Sequence, residues 1–322
     1  MHELYNATKS VVTRITPLVG SISRRSNINE LGEQLHFDIC YNNNRYFPLN
    51  PIDLGHIIVL RNTEELFRGI VITENLDGNN TINYDCFDYA FYLNKSKGIY
   101  QFNGTRAKEA VESILNDFDI PIGKIEPLGI VVKKIYTGEV ISDIIKDILD
   151  LAAKETGVKF RMEMRQGKIY IEKQQDQLIQ ATFRLAENLA EHDVTTAISS
   201  LSRQRSIDNM RNSIKITSTD NIVAEVKDNN LIKQYGLLQE VSKIDGKDIA
   251  QAKNIAQNML KDLGKIIEDN SIEVPGDDRV RAGRLIEIQE TTTGMSGKYL
   301  VNEVTHNIKN GIHLMSLGLG VV

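Results

Sequence analysis

Gln34-Leu35-His36-Phe37-Asp38-Ile39-Cys40-Tyr41 sets Leu35, Phe37, Ile39 and Tyr41 in alternation with Gln34, His36, Asp38 and Cys40. Successive residues of a strand point to opposite faces, so this period of two predicts a strand buried on one side. The same period dominates from Val11 to Leu93. Further strands are expected at 56–60, 66–73 and 81–93, with turn chemistry at Asn62-Thr63-Glu64 and Asp77-Gly78-Asn79-Asn80 between them. Short strands at such spacing predict a barrel or sandwich.

Outward from that region the period changes. Near Gly104 the spacing becomes helical, with Thr105 as the expected cap and Ala107, Ala110, Val111, Ile114, Leu115 and Phe118 on one face until Pro121 and Gly123 stop the turn. A second helix is expected over 139–154 on Ile141, Ile144, Ile145, Ile148 and Ala152, closed by Gly157. A hairpin around Arg165-Gln166-Gly167 follows.

Beyond a polar stretch ending near Ala197, strands are expected at 213–217, 221–226 and 237–241. A helix at about 248–263, with Ile249, Ala252, Ala256, Met259 and Leu263 inward, is expected to cover the strands of its own domain and to end at Gly264. Strands at 271–274, 284–289, 299–308 and 312–319 complete the chain, the last two joined by Lys309-Asn310-Gly311. Strand 299–308 has apolar residues at both parities, Tyr299 and Val301 against Leu300 and Val304, and is expected to be covered on both faces. The fold class is therefore α+β, mainly β. Residues 1–98 form a first β-domain, 99–180 a small α/β domain and 181–322 a second β-domain. With no short repeat in the sequence, the two β-domains can be related only in fold.

Composition narrows the function. A chain of 322 residues, 41% apolar and 25% charged, has the ordinary make-up of a folded protein and is long enough for two or more domains. A net charge of -5 supplies no basic field for nucleic acid, and no apolar run approaches the roughly 20 residues that cross a bilayer. The start, Met1-His2-Glu3-Leu4-Tyr5, lacks the layout of a secretory signal. Cys40 and Cys86, the two cysteines, sit in apolar strand segments far from metal spacing and read as buried residues.

Catalytic chemistry finds little footing. There is no GxxxxGK[ST] loop, no GxGxxG, no GxSxG and no HExxH. His306 and His313 flank the last hairpin, but two imidazoles are too few for zinc without further ligands, and His36, His56 and His192 have no partners at metal spacing. Asp277 with Asp278 follows Pro275-Gly276 in a turn, where Asp serves the backbone. Glu187 and Glu191 have helical spacing and read as solvated. The clusters Arg279, Arg281, Arg284 and Arg203, Arg205, Arg211 lack interleaved aromatics and point to salt bridges at interfaces. No catalytic residue, cofactor or metal is expected.

The segment Ser271-Ile272-Glu273-Val274-Pro275-Gly276-Asp277-Asp278-Arg279-Val280-Arg281-Ala282-Gly283-Arg284-Leu285-Ile286 precedes Gly297-Lys298-Tyr299-Leu300-Val301-Asn302-Glu303-Val304-Thr305-His306 and a terminal strand with His313. This combination resembles the C-terminal domain of phage late control protein D and related baseplate hub proteins. Asn103-Gly104-Thr105-Arg106-Ala107 and Lys233-Gln234-Tyr235-Gly236-Leu237-Leu238-Gln239 fit the XkdQ/YqbQ type, found in PBSX-like prophages and in contractile bacteriocins such as diffocin. The resemblance spans nearly the whole chain, the first hundred residues in style and length alone.

It implies two tail-tube-like β-domains per chain and a homotrimer that presents a pseudo-sixfold ring. The implied partners are further copies of the chain, the tail tube protein above, the central spike below, other baseplate proteins and the tape-measure protein. Synthesis in the bacterial cytoplasm and assembly into a tail baseplate follow, with no membrane or specific nucleic acid as partner. Pro275, Gly276, Arg279, Arg281, Gly283, Tyr299, His306, His313, Tyr235 and Gly236 become the structural motif. Gly276 and Gly283 are expected at positive φ, and Arg279 and Arg281 are expected to reach carboxylates of a neighbouring subunit. The alternative is a tail-associated peptidoglycan hydrolase.

Overall fold

In the computed structural model every residue is described except 43–45, 48, 78–79, 175–177, 186–196, 199, 219–220, 245, 290–293 and 322. His192, Glu187 and Glu191 therefore lie outside the described residues, as does the centre of the expected turn at Gly78-Asn79. The first β-region comprises β1 (Glu3–Ala7), β2 (Val12–Arg14), β3 (Val19–Asn27), β4 (Glu33–Cys40), β5 (Ile57–Arg61), β6 (Glu65–Asp77) and β7 (Thr81–Asp88). The alternating segment from Gln34 is β4: Leu35, Phe37 and Ile39 are buried against Leu4, Leu60 and Tyr84, while Cys40 faces out. The strand expected over 81–93 stops at Asp88. The Asp88 carboxylate accepts from the amides of Glu33 and Ala90 at 2.7 and 3.0 Å, and the chain turns into α1 (Ala90–Lys95).

Next come β8 (Lys97–Arg106), α2 (Ala107–Asp117), β9 (Ile122–Ile125), β10 (Val131–Val140), α3 (Ile141–Thr156), β11 (Phe160–Arg165) and β12 (Lys168–Lys173). β8 and β10 pair antiparallel as a two-stranded sheet, and β11-β12-β9 form a second. Thr105 belongs to β8 and caps nothing; the Ala107 amide that opens α2 donates to the Ile130 carbonyl at 3.0 Å. α3 ends on Gly157 at φ 72, the left-handed closure expected of it. Val111, Ile114, Ile144 and Ile148 meet Tyr136 and Ile171 in one core.

The rest of the chain holds β13 (Leu178–Leu185), β14 (Ala197–Ile198), β15 (Ser200–Ser206), β16 (Ser213–Ser218), β17 (Asn221–Lys227), α4 (Asn229–Tyr235), β18 (Gln239–Lys243), α5 (Ala252–Leu263), β19 (Ile267–Pro275), β20 (Leu285–Gln289), β21 (Ser296–Lys309) and β22 (Ile312–Val321). Met1–Ser202 and Ser271–Gly320 make one compact unit, and Arg203–Asn270 makes another. In the second unit α5 sets Ala252 and Ala256 on Ile214 and Ile216 of the sheet β17-β16-β18. The expected helix is thus shorter. Ile249 sits in a 3-10 turn before it, 46% exposed, because the helical stripe begins only at Ala252.

β21 explains the doubled parity of its sequence. Tyr299 and Val301 are buried at odd positions, and Val304 and His306 at even ones. The inward phase slips by one residue at Asn302-Glu303, where β21 passes from pairing with β20 to pairing with β3. One strand thus serves two neighbours along one edge.

Fourteen strands share a single sheet, and their order repeats. The first β-region reads β2-β1-β5-β6-β7-β4-β3 across the sheet, and the last reads β14-β13-β20-β21-β22-β19-β15. Taken in chain order, the seven strands of each set occupy the same places. β13 departs in direction, running parallel to β20 where β1 is antiparallel to β5. The α/β segment β8–β12 lies between the sets in sequence, and residues 207–266 are inserted between β15 and β19. The joint between the sets is β3 with β21, Asn27 opposite Glu303 through Ser21 opposite Lys309. No barrel closes among the described residues, because the pairing path keeps free ends at β2, β14 and β15. Among the described residues no helix is long and apolar enough to cross a membrane.

Candidate functional site

The segment from Pro275 to Arg284 links β19 to β20 and is seated by residues remote in sequence. Asp277 caps its own turn, accepting from the Arg279 amide at 3.0 Å and taking the Arg279 guanidinium on both oxygens. Arg279 therefore bonds within the loop at the surface. Arg281 turns inward: it is 8% exposed, donates to the carbonyls of Met164 and Leu66 at 3.0 and 2.7 Å, and lies 3.4 Å from Glu33. The expectation that Arg281 reaches a neighbouring subunit is corrected by this burial, since its fork is spent inside the chain.

Arg284 binds Glu163 at 2.6 Å, and Arg165 lies 2.9 Å from the same carboxylate, with Arg161 alongside. Burial alone would raise the Glu163 carboxyl, but the hydrogen-bonded charge of Arg284, with Arg281 and Arg165, holds it below the usual carboxylate range. Burial pulls the Arg161 guanidinium down to about 10 against the attraction of Glu163. Such a cluster stabilises only while every member keeps its partner, and removal of one costs about 3–5 kcal/mol.

Two glycines fit the loop for different reasons. Gly283 has φ 85, and a Cβ there would lie 2.0 Å from Cδ of Arg161. Gly276 is not at positive φ; its constraint is closeness, since a Cβ would sit 2.1 Å from the His313 ring while its amide donates to the His313 carbonyl at 2.8 Å. Pro275 ends β19, and Tyr299 is buried in the core of the last β-region.

His306 and His313 face each other across the last hairpin, Nδ1 to Nε2 at 3.0 Å, and Nε2 of His306 donates to the Val280 carbonyl at 2.9 Å. Asp278 stands beside them, bonded to Nε2 of His2 at 2.9 Å and to the Asn62 amide at 2.8 Å. Sequence reasoning missed His2, Asn62, Glu33, Glu163 and Arg24. Nothing local marks them, because each meets the loop only through long-range pairing.

Tyr235 and Gly236 lie in the other unit, at the end of α4, with Gly236 at φ 81. The residue that holds this turn is Asn212, fully buried, which donates to the Gly236 carbonyl at 2.7 Å and accepts from the Leu238 amide at 2.8 Å. Asn212→Ala is expected to cost about 1–3 kcal/mol by orphaning both backbone groups. Urea unfolding of the variant checks this, and an unchanged midpoint would remove the clasp.

Elsewhere, His36 pairs with Asp85 at the surface, His56 bonds Asn6, and Cys86 is buried with its thiol pushed up by desolvation. None of these joins the loop.

Comparison with known proteins supplies the context. The chain is 24% identical to protein YqbQ and 25% identical to phage-like element PBSX protein XkdQ, both of Bacillus subtilis (strain 168), in each case over 79% of this chain and 77% of the relative. Its fold is shared with the 43 kDa tail protein of prophage MuSo2 from Shewanella oneidensis (TM-score 0.73, 12% identity, 98% of each chain). It is also shared with the c3393 protein of E. coli (TM-score 0.57, 13% identity, 98% of this chain and 76% of that one). That protein is described as a component of the type VI secretion system with structural similarity to the T4 bacteriophage tail proteins gp27 and gp5. The YqbQ-like family model matches residues 22–320, nearly the full length, and the chain belongs to the YqbQ-like family.

Proposed function

We propose that this protein is a structural subunit of a phage-type contractile tail, the baseplate hub, acting as a homotrimer between a hexameric tube and a trimeric spike. The repeated strand order carries this reading. A chain with two seven-strand sets in one order offers two equivalent lobes, so three chains present six. The first set is the first tube-like β-domain, the α/β segment is the connecting domain, and the last set is the second tube-like β-domain with its helical insertion. The fold shared along the whole chain with a prophage tail protein supports a place in a tail, and the XkdQ relationship supports a prophage-type particle.

In this reading the loop 275–284 is a keystone and not a catalytic centre. Its acidic groups are taken up by hydrogen bonds and arginines, so none is left as a proton donor for glycoside cleavage. The tail tube, spike, other baseplate proteins and tape-measure protein remain the proposed partners. Electron microscopy of assembled particles is expected to place the chain as three copies, with six lobes, at the junction of tube and spike. Density for the chain elsewhere on the particle, or in six copies, would refute the assignment.

A further inference from the structure

The tautomers of the histidine pair can be followed from one end. Val280 offers a carbonyl, which only accepts, so Nε2 of His306 carries a proton. His306 is 1% exposed, and in the neutral ring that carries its proton on Nε2 the Nδ1 is an acceptor. His313 then donates from Nε2 across the 3.0 Å contact. In a neutral His313 that donates from Nε2, Nδ1 presents its lone pair on the other side of the ring.

That lone pair faces Oδ1 of Asp278 at 3.9 Å. Asp278 accepts from Nε2 of His2 and from the Asn62 side chain, so its carboxylate is aimed at the same point as the two rings. His2 completes the group, its Nε2 2.9 Å from the same oxygen, and ligand atoms of the three residues all lie within 4.8 Å of one another. Ligands about 2.0–2.2 Å from a tetrahedral zinc stand about 3.3 Å apart; the two spacings to Asp278 are 2.9 and 3.9 Å and the whole set lies within 4.8 Å, so binding draws the two rings inward.

We propose that His2 Nε2, Asp278 Oδ1 and His313 Nδ1 bind one divalent transition-metal ion of the zinc type, with a fourth position left to water. Two imidazoles and a carboxylate are a donor set that zinc accepts, and magnesium, which needs near-octahedral oxygen ligands, does not fit it. Binding replaces the Nε2 proton of His2, which moves to Nδ1. His306 is a positioning residue: by accepting from Nε2 of His313 it fixes which nitrogen faces the ion, the arrangement that metal-bound histidines ordinarily have. The ion would tie residue 2 to the 275–284 loop and the terminal hairpin, segments joined here by the His2–Asp278 hydrogen bond and the edge contact of the His2 and His313 rings. The site does not depend on the hub assignment.

The test uses the untagged full-length chain, stripped with chelator and then given zinc chloride or magnesium chloride. Elemental analysis after dialysis is expected to find one zinc per chain, with a thermal midpoint raised by zinc and unmoved by magnesium. His2→Ala, which leaves Asp278 its hydrogen bond from Asn62, is expected to abolish both the stoichiometric zinc and the rise. His306→Ala is expected to weaken zinc about 10–100-fold. His36→Ala, at the exposed two-residue pair with Asp85, is expected to retain both. No zinc-dependent rise, or a rise and stoichiometry that survive in His2→Ala, would overturn the proposal.

Discussion

Gly283→Val is expected to leave the chain unable to reach its native state. The residue has φ 85, which costs a β-branched side chain about 1–3 kcal/mol. The new Cβ would overlap Cδ and Nε of Arg161 at 2.0 and 2.3 Å, and Arg161 is 9% exposed within the Glu163 cluster. Moving it separates buried charges, at a further cost of about 3–5 kcal/mol. The sum approaches the whole stability of an ordinary domain, about 5–15 kcal/mol. Soluble yield and the circular-dichroism melt are the readouts. Gly283→Val in an Arg161→Ala background separates the causes: with the overlap gone, it is expected to add only the backbone strain, about 1–3 kcal/mol, to the cost of Arg161→Ala alone. A Gly283→Val protein with the parental melt would show that the loop does not hold the unit together.

That consequence was half legible in the sequence. The glycine, the turn and the strands on either side follow from residue types, and so did β4, the Lys309-Asn310-Gly311 turn and the Gly157 closure. What one dimension hides is direction. Arg281 and Arg284 read as salt-bridge partners at an interface because Glu33 and Glu163 stand more than a hundred residues away. His313 read as one ligand of too few because His2 and Asp278 reach it only after β1 and the 275–284 loop are brought together. The antiparallel pair β8-β10 escaped notice since α2 and β9 separate its strands and it carries Ile99 and Ile135 in the open, against the usual alternation. The repeated strand order lies deeper still. It is a property of pairing between distant segments, and the two sets share it with no recognisable sequence repeat.

In the trimer proposed above, the repeated strand order offers one way for a second copy to attach. Within the chain, β21 pairs with β20 through Leu300 and then, along the same edge, with β3 from Glu303 onward. Its counterpart β6 pairs with β5 only through Val71, and the following Thr73, Glu74, Asn75 and Leu76 are exposed. The counterpart of β3 is β15, which among the described residues pairs with β19 alone. An open strand edge of this kind is a template for another strand. If the joint inside the chain repeats between chains, β15 of one copy adds to the outer half of β6 in the next, and three such joints alternate with three internal ones. The internal joint is bridged by Arg25 and Glu303 at 2.7 Å, and β15 carries Arg203 and Arg205, which hold Glu268 of their own chain. Thr73→Lys together with Asn75→Lys sets lysines against those arginines at the positions equivalent to 303 and 305. Both residues are exposed within one chain, so its melt is expected to stay within about 0.5 kcal/mol of the parent. Light scattering is expected to find three chains for the parent and one for the double variant. Trimers that persist with both lysines in place would mean that the chains close through some other surface.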